Sequence, residues 1–130
     1  MSPAYAASSA ALPMTCLNPG DKQVVWNAES PTTGQSSQAI AISPPRFGEN
    51  TRFISAEIKF SGAPGAFDYR IQVADTDVDA AYVDVPSLTL TAVNSGNYGR
   101  MEAQVTAKYA RLNAHTQTAN SVTVTASINR

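Results

Sequence analysis

Apolar and polar residues alternate along most of this chain with a period of two. From Arg52 to Phe60, Ile54, Ala56, Ile58 and Phe60 fall on one side of an extended backbone, with Ser55, Glu57 and Lys59 on the other. That is the pattern of a strand with one buried and one wet face. After the turn signal Gly62-Ala63-Pro64-Gly65, Phe67 to Ala74 repeats it with Phe67, Tyr69, Ile71 and Val73 inward. The short connection predicts that these two strands are antiparallel neighbours.

Similar runs bounded by turn clusters fill the rest. Gln23 to Ala28 carries Val24, Val25 and Trp26 and is broken by Ser30 to Ser37. Gln38 to Ser43, with Ile40 and Ile42 on one face, ends at Pro44-Pro45. Tyr82 to Val85 is a short run stopped by Pro86, and Leu88 to Val93 points Leu88 and Leu90 inward. After the turn Asn94 to Gly99, Met101, Ala103 and Val105 alternate with Glu102 and Gln104. Ala107 to His115 and Ser121 to Asn129 close the pattern, joined by Thr116 to Asn120, so the last strand is built into a sheet. The alanines of Met101 to Leu112 permit a helix, but its Val, Thr and Tyr oppose one. About eight strands at this spacing predict an all-β fold, an antiparallel β-sandwich of jelly-roll type.

The first 20 residues differ. They carry no Asp, Glu, Lys or Arg, three prolines (Pro3, Pro13, Pro19) and many alanines. They read as an extended N-terminal arm preceding a single domain over 21–130, with Pro3, Tyr5, Leu12 and Met14 as the residues that would anchor it on a partner. Without a basic n-region, and with Pro3, Ser8, Ser9 and Pro13 breaking any apolar run, the segment does not read as a signal peptide.

Composition narrows the function. The 130 residues have a formal net charge of −1, and their nine basic residues are scattered singly, which argues against binding nucleic acid or an anionic membrane surface. No stretch approaches the ~20 apolar residues of a membrane span. Cys16 is the single cysteine, so no intrachain disulfide forms, and a small buried apolar role is expected of it.

Candidate chemistry is sparse. Asp75, Asp77 and Asp79 form an alternating carboxylate run of the kind hard cations use, but the sixth loop position is Ala80 and the twelfth Pro86, which departs from an EF-hand. The expected reading is a solvated acidic turn, with a nonstandard calcium loop as the alternative. His115 is the single histidine, expected at the surface. Glu49, Glu57 and Glu102 have no spacing that points to a glycosidase pair, and there is no nucleophile elbow, phosphate loop or cysteine pair. An enzyme is not expected, and no cofactor is implied. Trp26, Tyr69, Tyr82, Tyr98 and Tyr109 would be the members of a sugar-binding platform if they were exposed together. Tyr109 and Arg111, one face of a strand opposite Leu112, make an aromatic and arginine pairing suited to a protein interface.

The segments Tyr109 to Arg130 (YARLNAHTQTANSVTVTASINR) and Phe67 to Val85 (FDYRIQVADTDVDAAYVDV) resemble small jelly-roll structural proteins of tailed bacteriophages. In those chains an aromatic-x-Arg-hydrophobic strand precedes a polar turn and a final Val-Thr strand. The resemblance implies a virion component at the capsid surface, assembled in the host cytoplasm, that decorates or cements the shell. The implied partner is the major capsid protein and the implied assembly a homotrimer. No catalytic residues come with that family. The competing expectation is a carbohydrate-binding or receptor-binding module of a phage tail appendage.

Overall fold

The computed structural model describes residues 16–42, 52–118 and 121–130. Eight strands follow in order: β1 (Lys22–Glu29), β2 (Ile40–Ala41), β3 (Arg52–Phe60), β4 (Phe67–Ala74), β5 (Val83–Asp84), β6 (Tyr98–Val105), β7 (Tyr109–Gln117) and β8 (Val124–Asn129), with one 3-10 turn at Asp79–Ala81 before β5. They form two four-stranded antiparallel sheets, ordered β1-β8-β3-β6 and β2-β7-β4-β5. Every strand of the first half pairs with its mirror in the second: β1 with β8, β2 with β7, β3 with β6 and β4 with β5. A ribbon paired in this nested way and folded over itself is a jelly roll, as the alternation predicts.

The nesting corrects one expectation. β3 and β4 are not hydrogen-bonded neighbours: β3 lies between β8 and β6, and β4 between β7 and β5. The connection Ser61 to Ala66 crosses from one sheet to the other, because both strands bury apolar faces against the same core from opposite sides. Phe60 and Phe67, at its two ends, meet across the core with ring centroids 4.9 Å apart. β7 and β8 likewise lie in different sheets.

Trp26, Phe60, Phe67 and Tyr69 form the aromatic centre, with Tyr69 edge-on to Trp26 at 5.6 Å and to Phe60 at 5.6 Å. Ile54, Ile58, Ile71, Leu112, Val124 and Ile128 surround it, all fully buried. Val25 and Trp26 are consecutive yet both buried; a bulge between Val24 and Trp26 in the β1–β8 ladder turns both inward. A second irregularity follows Trp26, where Ala28 adopts φ 53 and its N–H donates to Thr125 Oγ1 at 3.1 Å.

Three segments are less regular than their alternation suggests. The β2 run holds only two strand residues, although Ser37 N–H bonds Leu112 O at 2.8 Å and Ile42 N–H bonds Lys108 O at 2.8 Å beyond them. Leu88 to Val93 is not a strand; it contributes a single bridge from Leu90 to Tyr69. Leu90 sits so close to β6 that a Cβ added at Gly99 would lie 2.6 Å from its Cδ2, which explains a glycine near the start of that strand. The packed body also begins before Asp21, since Leu17 is fully buried, bridges Ile42 and donates its N–H to Ala41 O at 2.8 Å. Among the described residues no helix is long and apolar enough to cross a membrane.

Two substitutions test this core. Trp26→Ala is expected to cost about 3–5 kcal/mol in chemical denaturation, as for other fully buried large aromatics. Ala28→Gly is expected to be neutral or to stabilise by up to about 1 kcal/mol, because it relieves a left-handed alanine; a loss above about 1 kcal/mol would contradict the positive φ.

Candidate functional site

Among the described residues, the outer face of the β2-β7-β4-β5 sheet holds the densest polar chemistry. Antiparallel register sets Gln72 of β4 opposite Arg111 of β7, and Arg70 opposite Asn113. Arg111 donates from Nε to Gln72 Oε1 at 3.0 Å and from Nη1 to Asp79 Oδ1 at 2.8 Å, and its guanidinium carbon lies 3.9 Å from the centre of the Tyr82 ring. Gln72 donates in turn to Asp84 Oδ1 at 2.9 Å, and Asp84 Oδ2 accepts from Arg70 Nη1 at 2.8 Å. Arg70 also grips Asp68 through two hydrogen bonds of 3.2 and 2.9 Å. The Tyr82 hydroxyl donates to Asp77 Oδ1 at 2.7 Å.

This arrangement revises the interface pairing expected of Tyr109 and Arg111. The two do share a face, but Arg111 is only 6% exposed, roofed by Tyr82 and held by Asp79 and Gln72, so its guanidinium is spent inside the chain. Tyr109 remains half-buried. The turn after β4 folds back over β7, which a strand-by-strand reading does not reveal. Pro3, Tyr5, Leu12 and Met14 lie outside the described residues.

The acidic run is used in the same way. Asp75 is exposed, while Asp77 and Asp79 face the separate partners Tyr82 and Arg111. Among the described residues no group of three or more His, Cys, Asp or Glu is placed to hold a metal ion. The aromatic residues do not assemble into a platform either: Trp26 and Tyr69 are in the core, Tyr82 covers Arg111, and Tyr98 lies on the other sheet. His115 is exposed at a bulge between β4 and β7, and Cys16 is half-buried rather than buried.

The outer face of the other sheet carries a simpler ion network. Glu57 accepts from Arg100 Nη1 at 2.8 Å and from Lys22 Nζ at 3.5 Å, and Arg100 Nε bonds Glu102 at 3.2 Å. Partial burial pushes the Glu57 carboxyl up, but the Tyr98 hydroxyl, Lys22 and Arg100 outweigh it and hold the group below its ordinary value. Phe53 stands on this face, 50% exposed.

Two concavities lie at the margins. A hollow of about 380 Å³ is lined by Ser30, Thr32, Thr33 and Gln117 over Val122 and Val124. A groove of about 280 Å³ opens where β5 and β6 form the adjacent free edges of the two sheets; Val73, Val83, Val85, Pro86, Val105 and Ala107 supply its apolar lining. Val83 is 61% exposed there. No family model, curated protein or solved structure matches the chain.

The polar layer has a pH signature. The Gln72 amide first, then the Arg70 guanidinium and the His115 charge, hold the Asp84 carboxyl below its usual value against the opposing effect of burial. A carboxyl depressed in the folded state adds stability above its unfolded pKa of about 4 and loses it as pH falls through the folded value. Asp84→Asn is therefore expected to lower the melting temperature at pH 7, with a difference that shrinks below about pH 4. A difference independent of pH would contradict an ionised, hydrogen-bonded Asp84. Arg111→Ala is expected to cost about 2 kcal/mol or more by denaturation, since it removes the buried guanidinium that bonds Asp79 and Gln72 and stacks on Tyr82.

Proposed function

We propose that this chain is a viral structural protein that decorates and cements the capsid of a tailed bacteriophage, grouped as trimers and bound through protein–protein contacts. The observation that carries this reading is where the large exposed apolar side chains fall. Phe53 stands on the outer face of one sheet and Val83 at the open flank, in a domain whose charged groups are otherwise largely paired with one another. The jelly roll itself is a fold used by viral capsid and lectin domains, an analogy at the level of architecture.

The mechanism is repetition. Each copy bridges neighbouring coat subunits through a modest contact, and trimers multiply that contact by raising the effective concentration of the second and third. The Phe53 face meets the shell, while the flank and the uncharged arm join copies to one another.

Empty shells assembled from the major capsid protein of a tailed bacteriophage that carries this chain provide the test. Co-sedimentation is expected to saturate at a fixed number of copies per shell. Phe53→Asp is expected to weaken it about tenfold without lowering the melting temperature, as for an interface anchor, and deletion of residues 2–14 is expected to reduce occupancy. Failure of the full chain to bind would overturn the reading. The hollow lined by Ser30, Thr32, Thr33 and Gln117 favours a second reading, a sugar-binding module of a tail appendage; glycan binding by a chain that ignores the shells would put it first.

A further inference from the structure

The groove at the β5/β6 flank has a definite shape of demand. It is apolar, its one charged lining residue is Asp84, and that carboxylate is already taken by Arg70 and Gln72. Its walls are strand edges: β5 pairs on one side with β4, β6 on one side with β3, and neither has a second strand beside it among the described residues. An uncharged, extended segment that adds hydrogen bonds to a strand edge and inserts apolar side chains fits these features.

The chain contains such a segment. Residues 1–15 precede the described body and carry no charge, and Ala4 to Leu12 is a nine-residue stretch without proline, long enough to run beside the eight residues of β6. Leu12 and Met14 are two apart, so in an extended chain they point to one side. The segment starts from the flank opposite the groove. Leu17 is tied to Ala41 of β2 and Gly20 to Arg130 at the β1 side, and β1 and β2 are the far edges of the two sheets.

We propose that residues 4–14 of one copy lie in the β5/β6 groove of the next, so that copies join head to tail and close into a ring. The opposite placement of arm and groove favours exchange between copies. Docking within one chain requires the uncharged arm to cross about 14 Å of sheet, three strand spacings, over a face bearing Lys22, Glu57, Arg100 and Glu102 or one bearing Asp68 and Arg70. A neighbour placed flank to flank offers its groove directly, and fifteen extended residues span up to about 50 Å. Such a heterologous contact generates a ring when its rotation closes. The proposal rests on the oligomeric part of the function given above, not on the shell.

The test uses purified protein without shells. One full-length chain carries Leu12→Cys and a second, differently tagged, carries Val83→Cys, both with Cys16→Ser; they are mixed and oxidised. A mixed covalent dimer is expected to form at least about tenfold faster than with Thr91→Cys, an exposed position away from the groove, in place of Val83→Cys, because docking raises the local concentration of the two thiols. In parallel, deletion of residues 2–14 and the exposed-site variant Val83→Lys are each expected to reduce the mass in solution to that of a monomer, with the folding transition retained. Equal cross-linking rates at the two positions overturn the proposal. So does preferential closure within a single chain carrying both cysteines. If cross-linking succeeds but shells are not bound, the exchange stands and the decoration reading falls.

Discussion

The double pairing of the last strand holds the rest of the molecule in place. β8 lies between β1 and β3, with Ile128 opposite both Gln23 and Ala56, and Val124 opposite both Glu29 and Phe60. Without it, β1 has no partner and the sheet it belongs to splits in two. Because the first strand must wait for the last, the nested ladder is built from contacts between residues far apart in sequence, the kind that fold slowly. The compensation is a core closed on both sides, in which Trp26 from the first strand meets Tyr69 from the other sheet.

The second sheet solves a different problem. Its outer face would be an exposed row of long polar side chains, but the turn between β4 and β5 folds over it and converts those side chains into a connected layer from Asp68 through Arg70, Asp84, Gln72 and Arg111 to Asp79. β5 has only two strand residues and Asp79–Ala81 only one turn, so backbone pairing alone holds this region weakly. Charge-assisted hydrogen bonds and the stacking of Arg111 on Tyr82 pin it down. The acidic run that resembles a cation loop in the sequence is thereby explained as one side of a clamp.

Strands with strict alternation are legible in the sequence: β3, β4 and β6 declare their buried faces residue by residue, and the final strand shows that it is built into a sheet, though not that it lies between β1 and β3. Sheet partnership is not. Ser61 to Ala66 looks like a hairpin turn, and only the shared core shows that Phe60 and Phe67 face each other across two sheets. The burial of Arg111 was equally hidden, because it depends on Tyr82, 29 positions away in sequence, folding back over β7. One signal is present: polar residues alternate along both strands, and Asp68, Arg70 and Gln72 of β4 stand opposite Thr116, Asn113 and Arg111 of β7, polar rows that invite cross-strand pairing. Leu90, apolar and alternating, has the pattern of a strand residue; it acts instead as a plug against Gly99 and bridges Tyr69.

Among the described residues the two sheets end at β1 and β2 on one flank and at β5 and β6 on the other, and the β5/β6 flank, with its apolar groove, is where we propose that the arm of a neighbouring copy docks. Hydrogen–deuterium exchange on the full chain and on a chain lacking residues 2–14 reads this most directly. Amides of β6 and of Val83 to Val85 are expected to be protected in the full chain, in a concentration-dependent manner, and to exchange faster once the arm is removed, while β3 and β8 stay unchanged. Identical exchange along β5 and β6 in the two proteins would contradict an arm-filled flank.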